Sequence, residues 1–497
     1  MITQVQALIL AAGKSTRLNT GKSKLLEPIC GQPMIMYPIR LLEALQIPIT
    51  MVVGYQKEEV MSAVQDAAGF PVQFVTQEEQ RGTGHAIMCT RDVWQKSTIL
   101  IINGDTPLTT QQIIKDLVHK HVQTDAAITF ITAHYAEAAR SGYGRVCVSE
   151  QGGIKIVEAR NFTGDSESPC CINAGIYLVK KTFLDAYIDA LVPNGLTKEI
   201  YFTDLVKIAS DNGYGVSTLS VPFDSIRGVN TLQELWAIEQ IQRADLVKQW
   251  MDRGVRFSMP QQVHVDLGVH IGAGTVIKGG VHLTGNTIIG NNCTIAEFNS
   301  LHNVSVGDNT TIHSHCIIAD SQIQDNVHVG PFAHVRTNSL IQNNSVIGNF
   351  VEVKNSTIGE HTKAKHLSYV GDAHIGSKVN IGAGTITCNY DGAQKHATII
   401  EDNVFIGSNN TLVAPLTIHK NSFTAAGSTI TKNVPEYSLA FGRARQVTKE
   451  GYMRSQGDAQ KMVTDPLSAG NDGQNSSGQS FIGATKTHID TSTVYLD

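Results

Sequence analysis

The chain has 497 residues, 41% of them hydrophobic and 17% charged, which is too long for one ordinary core and predicts two or three domains. A formal net charge of -5 supplies none of the basic field that nucleic-acid binding needs. No apolar stretch is long enough to cross a bilayer, and Met1-Ile2-Thr3-Gln4-Val5-Gln6 lacks the charged start of a signal peptide, so a cytoplasmic protein with no membrane partner is expected. The eight cysteines form no C-x-x-C pair, and Cys170 and Cys171 are neighbours; reduced, mostly buried thiols follow.

Residues 5–10 read as a fully buried strand. It runs into Ala11-Ala12-Gly13-Lys14-Ser15-Thr16-Arg17-Leu18, a turn whose small residues let backbone approach a phosphate and whose two cations offset its charge. A P-loop is excluded because Leu8 stands where its leading glycine belongs, and G-x-G-x-x-G is absent. A plain strand-to-helix connection is the alternative. Further strands at 50–53, 72–75 and 98–102 alternate with helical patterns, and the last ends at Asn103-Gly104-Asp105. An Asp past the carboxyl end of a buried parallel strand suits a metal or nucleotide, or equally an Asx-turn. A second Gly-rich turn, 77–86, opens a helix. Then come Gly142-Tyr143-Gly144-Arg145, Ile156-Val157-Glu158, Ile172-Asn173-Ala174-Gly175 and Gly228-Val229-Asn230. The pattern predicts an α/β, Rossmann-like domain over 1–229 with polar residues gathered at strand ends.

Residues 231–249 carry apolar side chains at helical spacing and predict one helix within a linker, 230–251. Asn230 is its N-cap or a metal ligand. Beyond it, from Val265 to Ile430, an aliphatic residue recurs every sixth position with occasional five-residue steps: Val265, Ile271, Ile277, Leu283, Ile289, Ile295, Leu301, Val306, and onward. A period of six fits neither an amphipathic helix nor an alternating sheet. It fits a solenoid of short parallel strands, a parallel β-helix of hexapeptide repeats, placed at 252–451. The index breaks between Thr387 and Ile400, where a loop is expelled. The remainder, 452–497, is polar and predicts a disordered tail.

Taken in order, Leu10 to Arg17, Lys24, Gly82-Thr83-Gly84-His85-Ala86, Gly104-Asp105, Gly142-Tyr143-Gly144-Arg145 and the repeat-borne Gly382-Ala383-Gly384-Thr385-Ile386-Thr387-Cys388-Asn389-Tyr390-Asp391-Gly392 closely resemble the bacterial bifunctional N-acetylglucosamine-1-phosphate uridylyltransferase / glucosamine-1-phosphate acetyltransferase family. The likeness covers everything except the tail after about Gly451. It implies a nucleotidyltransferase domain followed by a left-handed β-helix that associates as a homotrimer. The first domain would transfer UMP from UTP to N-acetylglucosamine 1-phosphate, with Arg17 and Lys24 on the nucleotide phosphates and Mg2+ on Asp105 and Asn230. Leu10, Ala11, Ala12, Gly13, Gln77, Gly82 and Thr83 would hold the uridine end. Gly144, Glu158 and Asn173 would hold the sugar, and Asn103 and Gly104 would complete the nucleotide-sugar site.

The second domain would acetylate glucosamine 1-phosphate from acetyl-CoA. Arg336, Lys354, His366 and Tyr369 all fall off the inward index and therefore point outward. The resemblance makes His366 the general base for the sugar amine, a task suited to an imidazole whose ordinary pKa is ~6.5. The residues alone leave it one surface histidine among several. By the same resemblance Arg336, Lys354, Tyr369, Asn380 and Lys395 contact the sugar phosphate. Ala383, Asn389, Tyr390, Ser408, Ala426 and Arg443 would line the acetyl-CoA site. Departures from the family pattern are Ser15 for Gly, Asn103 for a frequent Tyr, Glu158-Ala159-Arg160 without Lys-Asp, Ala174 for Thr, and Thr337 after Arg336 in place of Pro. Two other readings stay open: a nucleotidyltransferase for another sugar 1-phosphate with a solenoid for assembly, or a non-catalytic assembly subunit.

Overall fold

Apolar β-branched runs without breaks form buried strands, and they place the first core. In the computed structural model, whose described residues are 2–14, 18, 21–135, 142–150, 152–162 and 171–452, Val5–Ala11 lies at the centre of a sheet. It is parallel to Ile49–Val53 on one side and to Thr98–Asn103 on the other, and Val72–Thr76 extends the sheet beyond Ile49–Val53. These strands run a residue longer than predicted, mostly toward their carboxyl ends. The sequence pattern did not announce Cys171–Lys180, which runs antiparallel to both Thr98–Asn103 and Ile128–His134. Its register shifts between Asn173 and Tyr177, and Asn173 beside that shift lines the same cavity as Asn103. Helices Met36–Ala44, Lys57–Ala67 and Gln111–Thr124 contribute their apolar stripes to the cores on the sheet.

The bridging helix spans Leu232–Asp252. Its N-cap is Thr231, not Asn230: the Thr231 hydroxyl accepts from the Glu234 amide while Glu234 reaches back to the Thr231 amide, a complete capping box. That frees Asn230 from capping.

From Arg256 to Ala440 the chain winds as a left-handed parallel β-helix. Most rungs pair with another 17 or 18 residues on, and every aliphatic index position from Val265 to Ile430 is buried in one continuous core. Corners fall on left-handed residues, many of them Asn, such as Asn292, Asn309, Asn326 and Asn344, a side chain that tolerates positive φ. At the predicted interruption the step lengthens to 25 residues, from Ser377 to Asp402, while Ile386–Cys388 and Thr398–Ile400 hold the rungs on either side.

The chain divides into two compact units, Met1–Gly442 and Arg443–Asp497, so the nucleotidyltransferase-like half, the helix and the solenoid share one unit. Arg17 and nearly all of the predicted polar tail lie outside the described residues. Among described residues no helix is long and apolar enough to cross a membrane. Cys30, Cys293 and Cys316 are buried; Cys89, Cys147, Cys171 and Cys388 are half-buried, and all are free thiols.

Candidate functional site

Two adjoining cavities open at the carboxyl ends of the central strands. One, of about 570 Å³, is lined by the turn from Leu10 to Lys14, by Lys24, and by Gln77, Gly82 and Thr83. The other, about 340 Å³, is lined by Gly144, Asn173, Tyr143, Thr203 and Asn230. Leu10, Thr83, Asn103, Asp105 and Glu158 border both. The turn at Gly82 is held by Gln77, whose amide donates to the Gly82 carbonyl at 3.1 Å. Gly82 has φ +105, and a Cβ there would stand 2.6 Å from the Ile200 carbonyl oxygen, so only glycine keeps this cavity wall. Gly104 does not line either cavity; its amide donates to the Leu10 carbonyl at 3.0 Å and locks the two strand ends together.

At the junction of the cavities the Lys24 ammonium pairs with Asp105, donates to the Val229 carbonyl at 2.9 Å and to Asn230 Oδ1 at 3.3 Å. Asp105 and Asn230, 125 positions apart in sequence, are therefore drawn to one cation. An all-oxygen set of this kind suits a hard divalent ion that completes its shell with water and phosphate. Among described residues no cluster of three or more His, Cys, Asp or Glu could hold a metal unaided. In the smaller cavity, burial pushes the Glu158 carboxyl up, partly offset by the Thr203 hydroxyl donating to it at 2.8 Å. Burial also raises the Tyr143 phenol to about 12; its oxygen accepts from the Gly228 amide at 2.8 Å. Asn173 is anchored by donating to the Tyr177 hydroxyl at 2.6 Å.

On the solenoid, His366 pairs in register with Asn349 on the rung below. Its Nδ1 lies 2.9 Å from Asn349 Oδ1, so Nδ1 carries the proton and Nε2 presents a lone pair to solvent. The backbone ladder continues upward through this corner: Gly384 donates to Leu367, Asn409 to Ala383 and Gly427 to Ser408. Ala383, Ser408 and Ala426 thus stand on successive rungs above His366. Beside this column Phe332, Phe350 and Leu367 adopt positive φ and form an exposed apolar ridge, with the two phenyl rings stacked 5.3 Å apart.

Around the next face, Arg336, Lys354 and Gly371 share a column. Arg336 donates to Glu352 at 2.6 Å and 3.0 Å. Lys354 faces Asp372 at 3.6 Å. Asp372 also accepts from Asn355 at 2.6 Å and from Asn389. Burial pushes the Asp372 carboxyl up, but these amides and ammonium groups outweigh it and hold it below its ordinary value. The expelled loop is self-braced: the Gln394 and Ala393 amides and His396 all donate to Asp391, holding its carboxyl well below the carboxylate range. This sets Lys395 beside Lys354, whose ammonium pushes Lys395 down. Two ammonium groups and a guanidinium gather here beside the Glu352 and Asp372 carboxylates, and three cations against two anions leave the cluster net positive and able to receive an anion. Tyr369 joins through Asn389, 3.5 Å from its hydroxyl.

A model of the MobA-like NTP transferase domain matches residues 7–159, and one of the bacterial transferase hexapeptide (six repeats) matches 320–355. The Bifunctional protein GlmU of Geotalea uraniireducens is 40% identical over 456 residues, covering 91% of this chain and 99% of its own. That of Pelobacter propionicus is 41% identical over 453 residues (90% and 98%), and that of Exiguobacterium sibiricum 39% over 451 (90% and 99%). The chain belongs to the GlmU family.

The structure gathers the nucleotide-side set expected of a GlmU protein, apart from Gly104, which acts behind the wall, and Arg17, which lies outside the described residues. Of the acetyl-transfer set, Arg336, Lys354, Tyr369, Asn389 and Lys395 converge. Asn380 sits a face away, in the column of Lys363 and Phe405. Tyr390 is exposed on the loop, its hydroxyl donating to Gly392, and exposed Arg443 belongs to the second unit. Sequence reasoning missed Asn349, Asp372 and Thr203. Asn349 and Asp372 were within reach, each standing 17 residues from His366 or Asn355, one coil of the repeat.

Proposed function

We propose that this GlmU-family enzyme makes a UDP-sugar in two steps on two separate sites. At the solenoid corner His366 Nε2 takes a proton from the amine of glucosamine 1-phosphate. The amine then attacks the acetyl-CoA thioester carbonyl, and CoA leaves as the thiolate. Lys354, Lys395 and Arg336 hold the phosphate, and Ala383, Asn389, Tyr390, Ser408 and Ala426 line the acetyl-CoA path. In the strand-end cavities the phosphate oxygen of N-acetylglucosamine 1-phosphate attacks the α-phosphorus of UTP, and pyrophosphate leaves. Lys24, with Arg17, neutralises the phosphates, while Glu158, Asn173 and Gly144 orient the sugar. Asp105 and Asn230 would hold Mg2+, which supplies charge neutralisation on the triphosphate when bound.

The functional regions in this reading are 1–229, 230–251 and 252–451. The observation that supports this reading is the separation itself: Lys24, Asp105 and Asn230 meet at the strand ends, whereas Arg336, Lys354 and Lys395 gather on the solenoid. The apolar ridge of Phe332, Phe350 and Leu367 supports association of the solenoids, which we assign as a homotrimer in the cytoplasm. The test is to mix the protein with glucosamine 1-phosphate, acetyl-CoA, UTP and Mg2+ and follow CoA thiol and UDP-N-acetylglucosamine together. Both products are expected. CoA alone would overturn the uridylyl assignment, and neither would overturn both.

A further inference from the structure

Five successive coils of the solenoid turn a corner two positions past the inward column Leu301, Ile318, Val335, Val353 and Val370. The corner residues are Asn303, Asp320, Thr337, Asn355 and Asp372, all at positive φ, where Asn and Asp are better tolerated than most side chains. Asn303 donates to Asp320 Oδ1 at 3.2 Å, and Asn355 repeats the bond to Asp372 Oδ1 at 2.6 Å. One oxygen of each carboxylate is thus taken up by the corner. At Asp320 no ion pair accompanies that bond among the described residues. At Asp372 the second oxygen, Oδ2, accepts from Asn389 Nδ2 and lies 3.6 Å from Lys354 Nζ. The corner accounts for Oδ1 and leaves Oδ2 to be explained.

Oδ2 joins two groups with different duties. Lys354 belongs to the cationic cluster, and Asn389 stands at the root of the expelled loop. The Asp372 and Lys354 side chains are only 12% and 13% exposed, so solvent screens their attraction less than that of a surface pair. A carboxylate has no proton to give. It therefore accepts the Nδ2 edge of Asn389 and rejects the flipped amide. The Tyr369 hydroxyl, 3.5 Å from the same Nδ2, favours the same orientation. Asn389 Oδ1 is then turned away from the carboxylate as an acceptor. An amide at position 372 would lack this selectivity, because it offers a donor and an acceptor alike. We propose that Asp372 is a positioning residue for acetyl transfer: its carboxylate fixes the Asn389 amide so that Oδ1 meets an N–H of the acetyl-CoA arm, and it holds the Lys354 ammonium beside that amide. This role rests on the reading that acetyl-CoA and glucosamine 1-phosphate meet at this corner.

The test is Asp372→Asn in the full-length chain. Asn already occupies this corner at Asn303 and Asn355, so the substitution keeps the turn and its Oδ1 acceptor and removes the charge; the melting temperature should hold. At saturating glucosamine 1-phosphate, kcat/KM for acetyl-CoA, read by CoA thiol release, should fall about tenfold, the scale of a charge-assisted hydrogen bond. KM for glucosamine 1-phosphate should move the other way and fall about twofold, because the cluster passes from three cations against two carboxylates to three against one. A purely structural role produces no such split. In an Asn389→Ala background, Asp372→Asn should bring no further loss in kcat/KM for acetyl-CoA, while the lower sugar-phosphate KM persists. An unchanged kcat/KM in Asp372→Asn, an equal further loss in the Asn389→Ala background, or a raised sugar-phosphate KM with a lowered melting temperature each overturns the assignment alone. No CoA thiol from the unsubstituted chain overturns the functional reading and this role with it.

Discussion

Changing Asn349 tests how the solenoid prepares His366 as a base. The contact is a neutral hydrogen bond at 2.9 Å between exposed groups, of a class worth ~1 kcal/mol net. Asn349→Ala should therefore lower kcat for acetyl transfer about fivefold. KM for the sugar phosphate should hold, since Lys354, Lys395 and Arg336 are untouched. Asn349→Asp keeps the acceptor and adds a charge. At that separation, with the dielectric of water because the pair is exposed, Coulomb's law gives roughly 1.4 kcal/mol in favour of imidazolium. The acidic limb of the rate profile should then move up by about one pH unit. CoA thiol release followed across the neutral range reads both effects. An unmoved limb in Asn349→Asp together with an unchanged kcat in Asn349→Ala would refute the idea that this bond fixes the tautomer.

Other substitutions address the core, the turn and the sugar pocket. Ile347, fully buried and stacked between Val329 and Ala364, should lose ~2–5 kcal/mol of stability on change to Ala, read by denaturant unfolding. Gly82→Ala forces a Cβ into the Ile200 carbonyl at φ +105 and should cut uridylyl transfer about tenfold or more while leaving acetyl transfer intact; equal loss of both would contradict the separation of sites. Glu158 has its carboxyl pKa raised by burial, so the folded state binds more protons between the ordinary glutamate value and the raised one. Stability contributed by this group falls as pH rises through that window. Glu158→Gln should raise the melting temperature at neutral pH, lose that advantage below the ordinary glutamate range, and weaken sugar binding.

The six-residue index made the solenoid legible because each inward position must be aliphatic or small to stack on its neighbour, and no other side chains satisfy that geometry for so long. Asp105 was legible as a strand-end carboxylate, but its convergence with Asn230 and Lys24 depends on how the chain returns across the sheet, which local pattern does not encode. The reversed direction of Cys171–Lys180 was hidden for the same reason, since a buried strand reads alike in either direction. The N-cap fell on Thr231 and not on Asn230, the one cap the sequence reading weighed, although Thr231 has Glu three positions later. The aromatic ridge went unseen because Phe332 and Phe350 sit at positive φ, a conformation their side chains disfavour and that the stacked corner imposes.

The two chemistries ask different things of their scaffolds. Uridylyl transfer needs charge and backbone donors gathered around a compact triphosphate, which a twisted sheet provides by bringing loops from distant segments to one edge. Acetyl transfer needs a long, narrow acyl carrier laid out from its thioester. Successive rungs of a parallel sheet are ~4.8 Å apart, so the three rungs from His366 through Ala383 and Ser408 to Ala426 span roughly 14 Å along one corner. Small side chains at Ala383, Ser408 and Ala426 leave the backbone open along that track, the form an extended amide arm of CoA requires, and in the proposed reading its reactive end would lie at the histidine. The repeat that stabilises the solenoid therefore also sets the length of the proposed cofactor path. Inserting one rung between Ser408 and Ala426 should preserve the fold and the pull on glucosamine 1-phosphate while raising KM for acetyl-CoA. An unchanged KM would show that the corner does not carry the CoA arm.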